Sequence, residues 1–390
     1  MEVYVLDDQL RRTAVIDRFE SMIWTERYSS YGDFQLVIHS TPQSRGLLVA
    51  NTWIKINKSR RVMMIENVVN KDDSSGRSLL TITGRSLEAL LLGRVNRSSL
   101  PTGSAVAMVT LTGTPGNMAR SLFTSYCTTA NTNQPNDAIP FYTAGNLYPT
   151  DTIAEPSTSL TLDFEVDWVY NSIKNLLDAY GLGFRLYTGP DDSKLYFNVY
   201  SGSDRTTSQT GLPAVVFSPD LENLTDISEL TSVEQLKNVA YVMAPNGNLI
   251  VYADGVDSSI AGFDRKILFV KADDITLAAG APLNAALLQR GKDELSKNKA
   301  MYALDGELPK TNKYIYEYDY YLGDLIEMRN NDGLTNNMQV TEQIFVDDSE
   351  GERSYPTLTL NEFITPGSWL AWDYNEVWDA VPDTDFWSTI

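Results

Sequence analysis

The sequence is short of the residues that most catalytic and metal sites need. It has one cysteine, Cys127, in 390 residues. A disulfide within the chain is therefore excluded, and so is a zinc site built on cysteine pairs. It also has one histidine, His39. Any nucleophile activated by imidazole would have to be built around that residue. His39 closes the alternating segment Leu36-Val37-Ile38-His39, which predicts a strand end facing solvent rather than a base. Chemistry led by histidine or a transition metal is set aside, and no cofactor is expected.

Basic residues and long apolar runs are scarce as well. There are 31 Lys and Arg against 51 Asp and Glu, a net charge of −20. Nucleic-acid binders need a basic face to displace counterions from phosphate, so no specific nucleic-acid binding is expected. Docking on anionic lipid is disfavoured for the same reason. No apolar run approaches the ~18 residues of a membrane-spanning helix. Met1–Asp8 carries acids where the apolar part of an export signal would lie, so synthesis and folding in a cytoplasm are expected. What is present is an ordinary globular share of hydrophobic residues, 43%. The length suggests two or three domains.

The pattern predicts a mainly β chain with a few helices. Residues 1–97 read as short β-branched or aromatic segments: Glu2–Leu6, Thr13–Asp17, Ser21–Arg27, Asp33–Ile38, Trp53–Asn57, Val62–Asn70 and Ser78–Thr83. A short helix, Ser86–Leu92, is expected next, capped by Ser86 and stopped by Gly93. This spacing suggests a barrel or sandwich. Residues 98–213 read as an inserted mixed subdomain. It is low in charge from Ser98 to Ser157, with helix 115–127 after Thr114-Pro115, helix 168–180 capped by Asp167, and a hairpin over 184–200. Residues 214–362 read as a second β region. Its strands are Ala214–Phe217, Asn238–Met243, Leu249–Ala253, Lys266–Phe269, Tyr314–Tyr318, Asp324–Met328, Met338–Val346 and Thr357–Asn361, interrupted by helix 283–302. That helix presents Leu287, Leu288, Leu295 and Met301 as its apolar stripe.

Two features suggest contact surfaces. In the run Tyr314-Ile315-Tyr316-Glu317-Tyr318-Asp319-Tyr320-Tyr321, a period of two puts Tyr314, Tyr316, Tyr318 and Tyr320 on one strand face. They form either an ordinary aromatic sheet face or an interface ladder. Residues 363–390 form a tail holding Trp369, Trp372, Trp378 and Trp387. The tail also carries Asp373, Glu376, Asp379, Asp383 and Asp385, and no basic residue. Unstructured tails are poor in aromatics, so this one is expected to dock, either on its own chain or on a neighbouring protein through tryptophan anchors. The acidic pairs Asp72-Asp73, Asp191-Asp192, Asp273-Asp274 and Asp347-Asp348 fall at predicted turns. They read as solvated tips, not as Ca²⁺ ligands or paired catalytic acids.

The two β-rich ends echo each other. Asp72-Asp73-Ser74-Ser75-Gly76-Arg77-Ser78-Leu79-Leu80-Thr81-Ile82-Thr83 aligns on Asp347-Asp348-Ser349-Glu350-Gly351-Glu352-Arg353-Ser354-Tyr355-Pro356-Thr357-Leu358-Thr359 with one inserted residue. Each segment follows a long apolar strand. Trp53-Ile54-Lys55-Ile56 and Asp324-Leu325-Ile326-Glu327-Met328 precede them at similar distances. Two related β domains in one chain would explain this.

Several segments resemble the baseplate-hub or tail-tip hub family of siphophage minor tail proteins, known mainly from phages of Gram-positive, especially actinobacterial, hosts. They are Tyr31-Gly32-Asp33-Phe34-Gln35-Leu36, Val62-Met63-Met64-Ile65-Glu66 and Thr81-Ile82-Thr83-Gly84-Arg85-Ser86-Leu87-Glu88. Further along come Arg290-Gly291-Lys292-Asp293-Glu294-Leu295 and Tyr321-Leu322-Gly323-Asp324-Leu325-Ile326. The resemblance covers residues 1–95 and 215–362. It implies two related β-barrel-like hub domains and a homotrimeric, pseudo-sixfold ring at the tail tip of the virion. The ring would join a hexameric tail component to the distal tip and leave a channel for DNA. Expected partners are the distal tail protein, other tail-tip or minor tail proteins, and the tape measure protein. The chain ends about 28 residues after its last predicted strand, which leaves no room for a lysin domain, so no enzymatic activity is expected. The alternative is a receptor-binding or cell-wall-carbohydrate-binding tail protein, with the low-charge insertion and the tryptophans stacking on sugar.

Overall fold

The computed structural model describes residues 1–72, 76–97, 108–132, 134–145, 155, 159–189, 194–273, 275, 277–307, 314–329 and 335–359. The chain is mainly β with a few helices, as expected. Its described residues fall into two compact units, 1–230 with 303–359, and 231–302. The divisions expected near 97 and 213 both lie inside the first unit. Across the division near 97 runs a shared core, in which Leu6, Val62, Leu87 and Leu91 pack with Met118, Phe123, Ile173 and Phe184.

The first unit is built on one 13-stranded sheet. Its N-terminal half runs Ser21–Arg27, Asp33–His39, Ser78–Ser86, Met63–Asp72, Trp53–Ile56, Val3–Leu6, Arg12–Ile16 in spatial order. Alternation sets the faces: Met22, Trp24, Phe34, Leu36, Leu80 and Ile82 point into the core, while Ile23 is more than a third exposed. The C-terminal half adds Thr335–Asp348, Gly351–Thr359, Met301–Glu307 and Thr225–Ser232, with Leu325–Arg329 also on Thr335–Asp348 and the short Val216–Phe217 parallel to Leu325–Arg329. The halves join where Thr335–Asp348 runs antiparallel to Ser21–Arg27, pairing Glu342 with Arg27 and Asp347 with Met22. The terminal regions thus share one sheet. Its strand order does not close on itself among the described residues.

The echo seen in the sequence has a structural form. Trp53–Ile56, Met63–Asp72 and Ser78–Ser86 make an antiparallel meander, and Leu325–Arg329, Thr335–Asp348 and Gly351–Thr359 make another. The long middle strand of each has a register shift, between Ile65 and Asn67 in one and between Val340 and Glu342 in the other. Such bulges bend a strand and sharpen its twist.

On this sheet the intervening residues form helices Pro115–Cys127 and Val169–Asp178 and the hairpin Gly183–Thr188 with Leu195–Tyr200. Thr114 caps the first helix, its hydroxyl accepting from Asn117 N–H at 3.4 Å. Phe123 of that helix stacks on Phe197 of the hairpin at 4.1 Å between centroids. The hairpin strand Gly183–Thr188 is buried at every position, so it shows no alternation. The turn after Ser78–Ser86 is a 3₁₀ helix, Leu87–Gly93, and Ser86 does not cap it.

The second unit is a three-stranded sheet in the order Gly247–Tyr252, Val239–Ala244, Ile267–Lys271, antiparallel then parallel to the central strand. One face is covered by helix Ala281–Ser296, with Leu283, Leu287 and Leu295 on Ala240, Val242, Val251 and Val270. A Cβ on Gly291 would lie 2.6 Å from Val251 Cγ2, so glycine lets the helix close on the sheet. The helix expected over 283–302 ends at Ser296. Asn298 stops it, its side-chain amide donating to Glu294 C=O at 2.9 Å and its backbone N–H to Leu295 C=O at 3.0 Å. Met301 begins a strand, and Leu288 is 43% exposed, so neither belongs to the apolar stripe.

Candidate functional site

The three N-terminal segments that carry the family resemblance meet in space. Gly32 N–H donates to Ser86 Oγ at 2.8 Å, and Ser86 N–H donates back to Gly32 C=O at 2.9 Å. The serine is therefore used to clamp two strands, not to cap the following turn. A Cβ on Gly32 would sit 2.2 Å from Thr25 O, and one on Gly84 would sit 1.8 Å from Met64 O. Both glycines are required by close backbone approach. The bulge residue Glu66 makes a two-point ion pair with Arg85, at 2.7 and 2.8 Å, and Arg85 lies over the Tyr31 ring. At the second bulge, Glu342 pairs with Arg27, which also holds Asp33. Each bulge thus ends on a Glu–Arg pair, and the second one pins the two halves of the sheet together.

Beneath these pairs lies a buried polar cluster. Arg61 Nη1 bonds Glu88 Oε1, and its Nε is 4.0 Å from Glu26 Oε2. Glu26 also accepts from Trp24 Nε1 at 3.2 Å, from Ser59 Oγ, and from Tyr316 Oη at 3.0 Å. Glu88 Oε1 further accepts from Leu186 N–H at 2.8 Å. Burial opposes charge on Arg61, but Glu88 beside it prevails and holds the guanidinium pKa above its ordinary value. Burial, then Glu26, pushes the Tyr316 phenol well up. Most of these groups hold one another, although Glu88 Oε2 is buried without a hydrogen-bond partner among the described residues, and the cluster ties several strands together as a structural joint.

Gly323-Asp324 is a second joint. Gly323 has φ +91°, a conformation that favours glycine, and the Tyr28 ring lies against it. Asp324 accepts from Arg205 Nε at 2.7 Å, Ser203 N–H at 2.7 Å and Tyr321 N–H at 3.0 Å. Burial nonetheless leaves its carboxyl pKa raised.

The tyrosine run is not the expected strand. Asp319 Oδ2 accepts from Ile315 N–H at 2.7 Å, Tyr318 and Asp319 N–H return to Ile315 C=O, and Glu317 takes φ +63°. This turn breaks the period of two: Tyr316 and Tyr320 fold onto each other at 5.6 Å between centroids, while Tyr318 turns out to solvent. Tyr320 is buried and donates to Gln343 Oε1 at 2.8 Å. Tyr316 joins the buried cluster, and Tyr314 meets Phe217 edge to face at 5.6 Å. Tyr318 is 76% exposed. Tyr314 and Tyr318 instead line a cleft of about 320 Å³ with Arg205, Leu212, Val215 and Asp319. With Ile315 and Leu212 also exposed, this is a candidate contact surface that sequence periodicity did not reveal.

The other candidate residues are placed as follows. Trp369, Trp372, Trp378 and Trp387 lie outside the described residues. His39 ends its strand, more than half exposed, with Nε2 2.9 Å from Glu20. Of the acidic pairs, Asp347 holds the Met1 amino group at 2.6 Å and Asp348 pairs with Arg353. Among the described residues no three His, Cys, Asp or Glu side chains converge on a point that could hold a metal. Among them, too, no helix is long and apolar enough to cross a membrane.

Comparison with known proteins places this architecture. The chain is similar in fold to a tail protein from Neisseria meningitidis MC58, with TM-score 0.57, 15% identity, and 92% of this chain and 95% of that one covered. It is also similar to the 43 kDa tail protein of prophage MuSo2 from Shewanella oneidensis, with TM-score 0.54, 13% identity, and 93% and 98% covered. No curated protein matches the sequence. Residues 2–358 match the family described as Siphovirus ReqiPepy6 Gp37-like protein. The match spans both meanders, both glycine joints and everything between them, and the chain therefore belongs to this family of siphovirus tail proteins.

Proposed function

We propose that the protein is a non-enzymatic hub of the siphophage tail tip: a homotrimer whose two related β lobes per chain give a pseudo-sixfold ring around a DNA channel. The observation that carries this reading is the pair of bulged meanders, from opposite ends of the chain, held in one sheet by the Arg27–Glu342 pair. Three chains with two similar lobes each would match a hexameric tail end above and threefold parts below. Its partners would be the distal tail protein, other minor tail proteins and the tape measure protein. Threefold closure needs a heterologous contact, in which one patch meets a different one. The exposed Tyr318 and Ile315 beside the Tyr314 cleft supply one such patch. The net charge of −20 suits a lumen that repels phosphate and lets DNA slide. Light scattering on the purified full chain tests the proposal. A species with the mass of three 43.5-kDa chains is expected, and Tyr318→Ala should shift it toward monomer. A strict monomer at tens of micromolar would defeat the reading.

A further inference from the structure

The small sheet of the second unit is covered by a helix on one side, while its other side is buried at Val239 but open around Ile250, Ile267 and Phe269. Helix Ala281–Ser296 takes the face that carries Ala240, Val242, Val251 and Val270. The opposite face carries the alternate residues. Across it, Tyr241 stands between Ile250 and Phe269, and Val239 stands between Tyr252 and Ile267. Phe269 is 59% exposed, Ile250 48%, Ile267 42% and Met243 39%, and Phe263, in the turn that precedes Ile267–Lys271, is wholly exposed. Isolated exposed apolar residues are ordinary, but a contiguous set on one sheet face marks a contact surface. Its charged residues are cationic, and Asn248 is its neutral polar member. Arg265 lies over the rings of both Tyr241 and Tyr252 and donates to Tyr241 Oη at 3.3 Å, and Lys271 ends the neighbouring strand. Among the described residues no carboxylate pairs with either cation.

The charge of this unit differs from that of the chain. Residues 231–302 hold eight acidic and eight basic side chains, against −20 for the whole. The remaining C-terminal segment, 361–390, has the opposite character. It has six acids, no basic residue and four of the seven tryptophans. It follows the last described strand, Gly351–Thr359. Thirty residues extend to roughly 100 Å, so the segment can reach any surface of its own chain. Attachment to the same chain also gives it a millimolar-scale effective concentration there.

We propose that segment 361–390 docks on this face of its own chain, its tryptophans covering Ile250, Ile267 and Phe269 and its carboxylates meeting Arg265 and Lys271. The inference does not depend on the trimeric reading. Tryptophan supplies a large apolar area with a polar edge, which suits a face of aliphatic and aromatic side chains fringed by cations. Pairing Phe269→Cys with Trp378→Cys in the full chain tests it. The native thiol, Cys127, is buried and does not compete. Mild oxidation should close a disulfide within one chain at least ~10-fold faster than with Leu288→Cys, on the outward helix surface, in place of Phe269→Cys. Equal rates for the two pairs, or products of doubled mass only, would overturn the proposal. A second measurement uses the full chain labelled with 5-fluorotryptophan. In ¹⁹F spectra the four tail signals should sit away from free indole and move toward it in Arg265→Glu, while buried Trp24 stays fixed. Tail signals already at the free position in the unmutated chain would equally overturn it.

Discussion

Arg61→Met is the sharpest test of the buried joint. Methionine keeps the apolar stem and removes the cation. Glu26 and Glu88, 1% and 0% exposed, are then left buried with no counter-charge. Removing one partner of a buried pair costs about 3–5 kcal/mol. Here one guanidinium serves two carboxylates, so the upper end, about 5 kcal/mol, is expected. Glu88→Gln is milder. Its amide oxygen still accepts from Leu186 N–H, and Arg61 keeps Glu26, so about 2–3 kcal/mol is expected, at or below the low end of that range. The double variant leaves one carboxylate instead of two, so it should cost less than the sum of the singles by at least ~1 kcal/mol, as coupled neighbours do. Urea unfolding followed by tryptophan fluorescence suits the measurement, because Trp24 Nε1 bonds Glu26 and reports on the joint itself. A cost below ~2 kcal/mol for Arg61→Met, or additivity within ~0.5 kcal/mol, would refute the reasoning.

Three further outcomes are expected. Gly84→Ala should cost about 3 kcal/mol or more, beyond ordinary overpacking, because its Cβ meets the Met64 carbonyl, whereas Gly93→Ala, with open space around it, should cost under ~0.5 kcal/mol; thermal melts compare them. Cys127 is buried and its thiol is pushed up to about 12, so a disulfide reagent should modify it only as fast as the chain unfolds; prompt labelling of native protein would contradict its placement. Burial opposes charge on Glu327, but the Thr207 hydroxyl and Arg329 outweigh it and hold the carboxyl below its ordinary 4.5. Its stabilisation is therefore complete above pH 4.5 and lost as pH falls through the lower folded value. The urea midpoint should thus fall less steeply on acidification in Glu327→Gln than in the unmutated chain.

Local rules read much of this fold from the sequence. Strand alternation in Ser21–Arg27 and Asp33–His39, the Thr114-Pro115 helix start and the hairpin over 184–200 all rest on interactions within a few residues. The echo between the two ends appears as two meanders with a bulge in each. What escaped was decided by competition or by distance. In the tyrosine run, one Asp319 carboxylate and a left-handed Glu317 outweigh the alternation. At the helix end, the Asn298 amide, bonded back to Glu294, outweighs the longer apolar spacing. Ser86 looked like a cap, yet Gly32, more than fifty positions earlier, claims its hydroxyl. The Arg27–Glu342 pair, the Arg61 joint and the naked face around Phe269 each depend on which strands lie side by side, and periodicity carries no information on that.

The placement of Ser21–Arg27 against Thr335–Asp348 has a consequence for synthesis. Arg27 leaves the ribosome 315 residues ahead of its partner Glu342. At ~5–20 residues per second that is roughly 15–60 s. During that time the early strands present an open edge that only the end of the message can fill. On a busy polysome, the late strand of one nascent copy could fill the gap in the next. The gene's own translation would then be the step at which chains either close individually or become exchanged.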